Sequence, residues 1–210
     1  MSEKANHRKK QYHHGDLKEA LITAGLAILA EGGAEALSLR ETARRAGVSH
    51  SAPYRHFQNK EQLIGAIAAE GFRRLTKALS DAIALGGGRF HEELRLSGRA
   101  YVEFALNNPE HLKVMFSIKR FVPGHDCIHG VEDLDAFARI AGVFERAQAE
   151  GIIPTDQPPP ALALLAWAQV HGMSHILIEK QIPPGTISLE SALSLIDSWV
   201  VFMCRGLKAL

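Results

Sequence analysis

"SLRETARRAGVSHSAPYRHFQNKEQL" (Ser38–Leu63) is the stretch whose reading decides the fold. It opens in capping-box form, with Ser38 as N-cap and Glu41 three residues on to reach back. The short helix that follows stops at Gly47, which takes the left-handed conformation of a C-cap, with Val48 as the apolar residue after it. Ser49 offers an N-cap for a second short helix over 49–57, and Pro53 falls in its first turn, where the backbone N–H groups have no intrahelical partner to lose. Asn59–Gln62 has capping-box form again and starts a long helix to about Leu85. Upstream, Leu17, Ala20, Leu21, Ala24 and Ile28 recur at helical spacing until Gly32-Gly33 ends the run. A longer amphipathic helix followed by two short ones joined at Gly47-Val48-Ser49 is a helix-turn-helix pattern. Such a unit places its second helix in the DNA major groove.

The chemistry of 49–57 suits that placement. Arg, Ser, His and Tyr meet the donors and acceptors of base edges, while Lys and helix N-termini hold phosphates. Charge follows the same division. Over the 210 residues the formal net charge is only +1. Residues 1–60 nevertheless carry ten Lys/Arg against six Asp/Glu, and the remainder fourteen against seventeen. A basic N-terminal module on a mildly acidic body points to a polyanionic partner for the module. Hydrophobic residues make up 46% and charged residues 22%, the balance of a soluble globular protein with a sizeable core.

The Ser38–Leu63 stretch resembles the TetR family of bacterial transcriptional regulators, and "YHHGDLKEALI" (residues 12–22) often accompanies one C-terminal domain type within it. The resemblance rests on the Ser-x-x-x-x-Ala-x-x-Ala-Gly-Val-Ser spacing, the Tyr-x-His-Phe core and the Lys after it. It implies an all-helical homodimer that binds double-stranded DNA as a transcriptional regulator, most often a repressor. Carried over by position, it implies base-facing roles for Arg40, His50, Ser51 and Arg55. Tyr54, His56 and Lys60 then hold phosphates, helped by Ser38 and Ser49. The chain departs from the pattern at Ser51-Ala52-Pro53, where many members have small residues and then Leu before the Tyr.

Plainer readings stand beside these. Ser38 and Ser49 are explained as caps, and His56 as a brace for the turn. Leu39, Ala46, Val48 and Phe57 read as core of the module, Arg44 and Arg45 as a solvated face. The basic residues Arg8, Lys9 and Lys10 belong to an arm that either lies along a minor groove or is a simple tail. The expected domains are a flexible arm over 1–15, a DNA-binding module over 16–62 and a helical ligand-binding and dimerisation body over 63–210.

In the body, "LGGGR" (Leu85–Arg89) reads as a flexible break. Helical patterns follow at 89–107, 109–119, 134–150, 159–182 and 188–208, and no strand-like alternation or repeat interrupts them. The fold class is therefore all-α, with about nine helices. The last two helices are apolar nearly all round, and a helix apolar on every side must be covered on every side. Burial against their own subunit and a two-fold mate satisfies both, and a two-fold dimer suits a pseudo-palindromic operator. The segment around Trp167, His171 and Gly172 resembles a C-terminal domain type within the family named for those three residues. A pocket for an unknown small molecule, lined by some of Phe104, Met115, Phe116, Trp167 and His171, fits the habit of aromatic walls with a few polar groups.

His171 and His175 stand four apart, a spacing able to chelate a metal, and the loop "HDCIH" (His125–His129) adds possible ligands. Glu179, one further turn on, is the only candidate to complete a site and the loop has no Cys partner at zinc-site spacing, so packing is the simpler reading and no metal or cofactor is expected. A helical metal-binding protein or enzyme on His171 and His175 is the alternative of another class, and a ligand-independent DNA binder is the third. No Ser-His-Asp, P-loop or Gly-x-Gly-x-x-Gly arrangement supports catalysis, so no enzyme is expected. Cys127 and Cys204 make no disulfide framework, the N-terminus lacks an apolar signal core, and the apolar run Ala161–Ile178 includes Gln169, His171, Ser174 and His175. Those features point to a reduced cytoplasmic protein without a membrane span.

Overall fold

The computed structural model describes residues 14–117, 132–181, 183 and 187–208. Eight α-helices and a single 3-10 turn make up its regular structure, with no strand among the described residues, as the all-α reading expects. The chain divides into two compact units, one ending at Ile67 and the other starting at Ala68.

The first unit begins with α1 (His14–Ala36), whose helical course breaks at Gly33 with φ 68 and ψ −170. Helix α2 (Leu39–Arg45) starts where Ser38, in extended conformation, accepts the Glu41 N–H on its Oγ at 3.1 Å. The other half of the expected capping box does not form. The Glu41 carboxylate instead takes the Arg44 guanidinium in two bonds of 2.8 and 2.6 Å. A bidentate charged pair wins over one backbone N–H. At the C-terminus, Val48 N–H donates to the Ala43 carbonyl at 3.0 Å and Gly47 N–H to the Arg44 carbonyl at 3.2 Å. This Schellman ending requires φ 68 at Gly47, which a side chain would resist.

The helix expected over 49–57 contracts to a 3-10 turn, Pro53–Arg55. Pro53 has no N–H to give the Ser49 carbonyl four residues back, so that carbonyl accepts from Ala52 N–H at 2.9 Å instead. Ser49 does not cap through its side chain, because its hydroxyl lies 3.2 Å from that of Ser51. Helix α3 (Lys60–Gly86) then opens on Asn59, whose Oδ1 accepts Gln62 N–H at 2.9 Å. The Gln62 side chain reaches back one residue further than a standard box, to Gln58 N–H at 2.7 Å. Leu21, Leu37, Leu39, Ala43, Phe57 and Leu63 are buried in this unit, whereas Ala46 and Val48 are half-buried.

The second unit combines the rest of α3 with α4 (Phe90–Asn107), α5 (Pro109–Ser117), α6 (Glu132–Ala149), α7 (Pro159–Ile178) and α8 (Leu189–Lys208). Pro109 and Pro159 occupy first helical positions, where a missing N–H costs nothing. Helix α4 is central and packs on α6, α7 and α8. One buried cluster gathers Tyr101, Val102, Leu112, Met115 and Ile196, and a second gathers Phe90, Phe144, Leu162 and Val200.

The segment expected to be a flexible break is a closed corner. Gly87 and Gly88 take φ of 62 and 79. Glu93, whose side chain is only 7% exposed, accepts Gly88 N–H at 3.0 Å on one oxygen and the Arg146 guanidinium at 2.7 Å on the other. Two donors satisfy a carboxylate that burial alone would penalise.

Helices α7 and α8 each cover one face only. On α7, Leu164, Leu165 and Ile176 are exposed, with Ala168 and Gly172 between them in the same row. On α8 the exposed row includes Leu195, Ser198 and Phe202. By length and composition α7 is also apolar enough to cross a membrane, and it carries His171 and His175 within that length.

Candidate functional site

The first candidate surface is the outer side of the three-helix unit. Arg40, His50, Ser51, Tyr54 and Arg55 are all exposed there, Tyr54 at 60% despite its apolar ring. Ala52 and Pro53 point the other way and are buried, so the departure from the family pattern at 51–53 leaves only Ser51 outward.

The arginines of this unit fall into two sets. Arg44 is held by Glu41 and Arg45 by Glu31, and these pairings hold both carboxyls below the usual range. Arg40 and Arg55 form no ion pair with any described residue. The pairing of Arg45 with Glu31, fourteen residues upstream, has no signal in local spacing.

The remaining residues of the set are placed as follows. Ser38 uses its hydroxyl as the α2 cap. Lys60 is half-buried and its Nζ donates to the Ala34 carbonyl, at the end of the first helix where carbonyls lack partners. His56 is half-buried, with Nε2 enclosed and without a hydrogen-bond partner among the described residues. Only its Nδ1 is left for an outward contact. Arg8, Lys9 and Lys10 lie outside the described residues, as does the loop 125–129.

The second candidate site is a cavity of about 160 Å³ within the Ala68–Leu210 unit, walled by all six of its helices. Phe72, Leu75 and Leu79 come from α3 and Tyr101 from α4, with Phe116 on α5 and Trp167 on α7. Its rings meet at angles aromatic pairs favour, Phe72 edge-on to Phe116 at 5.5 Å and Phe116 to Trp167 at 5.8 Å. Of the five pocket residues singled out in the sequence, Phe116 and Trp167 line the cavity. Phe104 and Met115 pack into the surrounding core instead. His171 stands behind the wall, its Nδ1 2.7 Å from the Tyr101 hydroxyl and its ring 4.5 Å from that of Phe116.

Burial, with a smaller contribution from His175, lowers the His171 pKa to about 4, so it is neutral at physiological pH. The His171 and His175 rings stack edge-on at 4.5 Å. No group of three or more potential metal ligands occurs among the described residues. The α3 and α4 residues of the wall were missed in the sequence because Phe72, Leu75, Leu79 and Tyr101 fit a core pattern equally well.

Residues 21–67 match the model of bacterial regulatory proteins of the tetR family, and residues 94–197 match that of the Tetracyclin repressor-like C-terminal domain. The second match spans Trp167, His171 and Gly172. The fold is similar to that of a protein of unknown function from Rhodococcus sp. RHA1, with 30% identity and a TM-score of 0.80 over 95% of this chain and 99% of that one. A bacterial regulatory protein of the tetR family from Rhodococcus RHA1 is similar at 21% identity and a TM-score of 0.67, covering 91% and 96%. The fatty acid degradation regulator FadR from Bacillus halodurans shares the fold at 12% identity, with a TM-score of 0.70 over 90% and 97%.

Proposed function

The chain belongs to the tetR family of bacterial regulatory proteins, a family of DNA-binding transcriptional regulators, and from that premise we propose that it is a homodimeric repressor released from its operator by a small molecule. The observation that carries the DNA-binding face is the division of its arginines. Arg44 and Arg45 are neutralised by neighbours, while Arg40 and Arg55 remain available beside exposed His50, Ser51 and Tyr54. Arg40, His50, Ser51 and Arg55 read base edges. Tyr54 and Lys60 hold phosphates, with Nδ1 of His56 and the hydroxyls of Ser38 and Ser49 close to the same strand.

Helix α3 links the two activities. Its first turns carry Lys60 and Leu63, and its later turns carry the cavity residues Phe72, Leu75 and Leu79. A ligand that binds better to one position of α3 than another shifts the DNA affinity by that difference. Phe116 and Trp167 contact the ligand directly, His171 acts through Tyr101, and Phe104 and Met115 support the wall. The chain works in the cytoplasm, where its DNA is.

Two substitutions test the interface on an operator selected from a random pool. Arg55→Ala is expected to cost about 1–3 kcal/mol on the preferred site and to relax its specificity. A gel-shift comparison with unchanged affinity and specificity removes Arg55 from the contact set. Lys60→Ala is expected to weaken binding to all sequences alike and to reduce the salt slope by about one. If the slope stays the same and only the melting temperature falls, Lys60 serves the end of the first helix alone.

A further inference from the structure

From the size, charge and shape of its walls, we infer that the cavity between Phe72, Tyr101, Phe116 and Trp167 takes a neutral, single-ring aromatic molecule about the size of benzene, toluene or phenol. The inference rests on the reading of this cavity as the effector site and names the class of ligand that it admits.

Size sets the first limit. The cavity measures about 160 Å³. Apolar protein cavities of roughly 150 Å³, lined by Leu, Ile and Phe, stay dry and hold benzene. A single ring fills that volume, whereas a second fused ring or a long alkyl chain has to extend beyond it.

Charge sets the second limit. Among the described residues, no lining residue is ionisable except Tyr101, whose pKa burial raises further. A carboxylate entering here loses its water without meeting a cation, a loss that buried ions recover only when paired. His171, in contact with the wall residues Tyr101 and Phe116, is held neutral by burial and by His175. The charged groups nearby are committed elsewhere in the unit. Arg95 and Arg99 pair with Asp197, and Arg146 pairs with Glu93.

The walls set the third. Phe72, Phe116 and Trp167 already stand in edge and tilted relations that leave ring faces and edges toward the space, the arrangement another aromatic ring extends. Polar capacity is small. The Ser97 hydroxyl donates to the Leu94 carbonyl at 3.0 Å, and the Tyr101 hydroxyl is engaged by His171 at 2.7 Å and by Trp167 Nε1 at 3.4 Å. What is left is a few acceptor lone pairs on Ser97 and Tyr101 and the indole N–H of Trp199, enough for a ligand hydroxyl but not for a charge.

The test uses the full chain and five probes: toluene, phenol, benzoate, naphthalene and decanoate. Binding is read by tryptophan fluorescence and by melting temperature, and operator affinity is measured separately in each probe. Toluene and phenol are expected to bind at least about tenfold more tightly than the other three and to raise the melting temperature by roughly 2 °C or more at saturation. Ala166→Leu and Ala136→Leu, both on the cavity wall, are expected to abolish toluene binding while keeping helical content. Equal or tighter binding of benzoate, decanoate or naphthalene overturns the inference, and so does the absence of binding by toluene and phenol. If toluene binds and operator affinity does not move, the ligand class stands and the effector reading falls. If decanoate binds and releases the operator, the effector reading stands and the ligand class falls.

Discussion

A methyl group at position 86 is expected to destabilise the chain by about 2–3 kcal/mol, although Gly→Ala within a helix ordinarily gains stability. Gly86 is the last residue of α3, and a Cβ there falls 2.7 Å from both the Cα and the N of Glu93, and 2.5 Å from its Cγ. Two of those atoms are backbone, so the clash is not relieved by a rotamer change. The segment that would have to move is tied from both sides. Glu93 N–H is donated to the Arg89 carbonyl at 2.9 Å, and its carboxylate holds Gly88 N–H and Arg146. Gly86→Ala is expected to lower the melting temperature by roughly 4–10 °C, measured by circular dichroism. Gly142→Ala is the control: on α6 the nearest atom to its Cβ is Arg146 Nη1 at 3.6 Å, so helix propensity alone predicts a gain of up to about 1 kcal/mol. Equal shifts for the two variants would show that the corner yields and that the close approach does not matter.

The same corner shows where the sequence runs out. Signals that act within four residues were legible. Ser38 caps α2, Gly47 ends it, Pro109 and Pro159 start their helices, and Gly33 stops the first. Composition alone makes three consecutive glycines look loose. What closes them is Glu93, five residues beyond the last, held by Arg146 from another helix.

The stretch 49–57 departs from its expected helix for a related reason. Pro53 marks the start of a helix correctly, but its missing N–H also removes the bond that an α-helical turn needs there, leaving 3-10 geometry. Half-formed capping boxes at Glu41 and Gln62 follow from competing partners, Arg44 and Gln58 N–H, that a motif does not rank. In the cavity, aromatic residues gave no sign of which side they faced. Phe116 and Trp167 border the space, Phe104 and Met115 do not, and Tyr101 enters through a partner seventy residues away.

The largest effect on function is expected from Phe202→Glu combined with Leu165→Glu. These side chains are 67% and 64% exposed, on the outer rows of α8 and α7. Apolar rows of this length on two helices are costly in water and mark an interaction surface. Ala168 and Gly172 in the α7 row let a partner helix approach closely, and the Gly172 Cβ position has nothing within 4 Å. The double variant tests the proposed homodimer, because a two-fold axis would set each row against its own counterpart and cover all four helices at once. Two acidic groups on each side of that axis bring like charges together in a surface that must lose its water. The double variant is expected to sediment with half the wild-type mass at micromolar concentration and to keep its helical circular dichroism, since neither side chain is buried within the subunit. Operator affinity is expected to fall by roughly 10²–10³-fold, because the two half-sites are then bound independently. Phe202→Leu, which keeps the row apolar, is expected to leave the sedimenting mass unchanged and to shift operator affinity by no more than a few-fold. A wild type that is monomeric at that concentration, or a double variant that stays dimeric, assigns these rows another partner; a lipid surface on α7 is then tested by vesicle flotation.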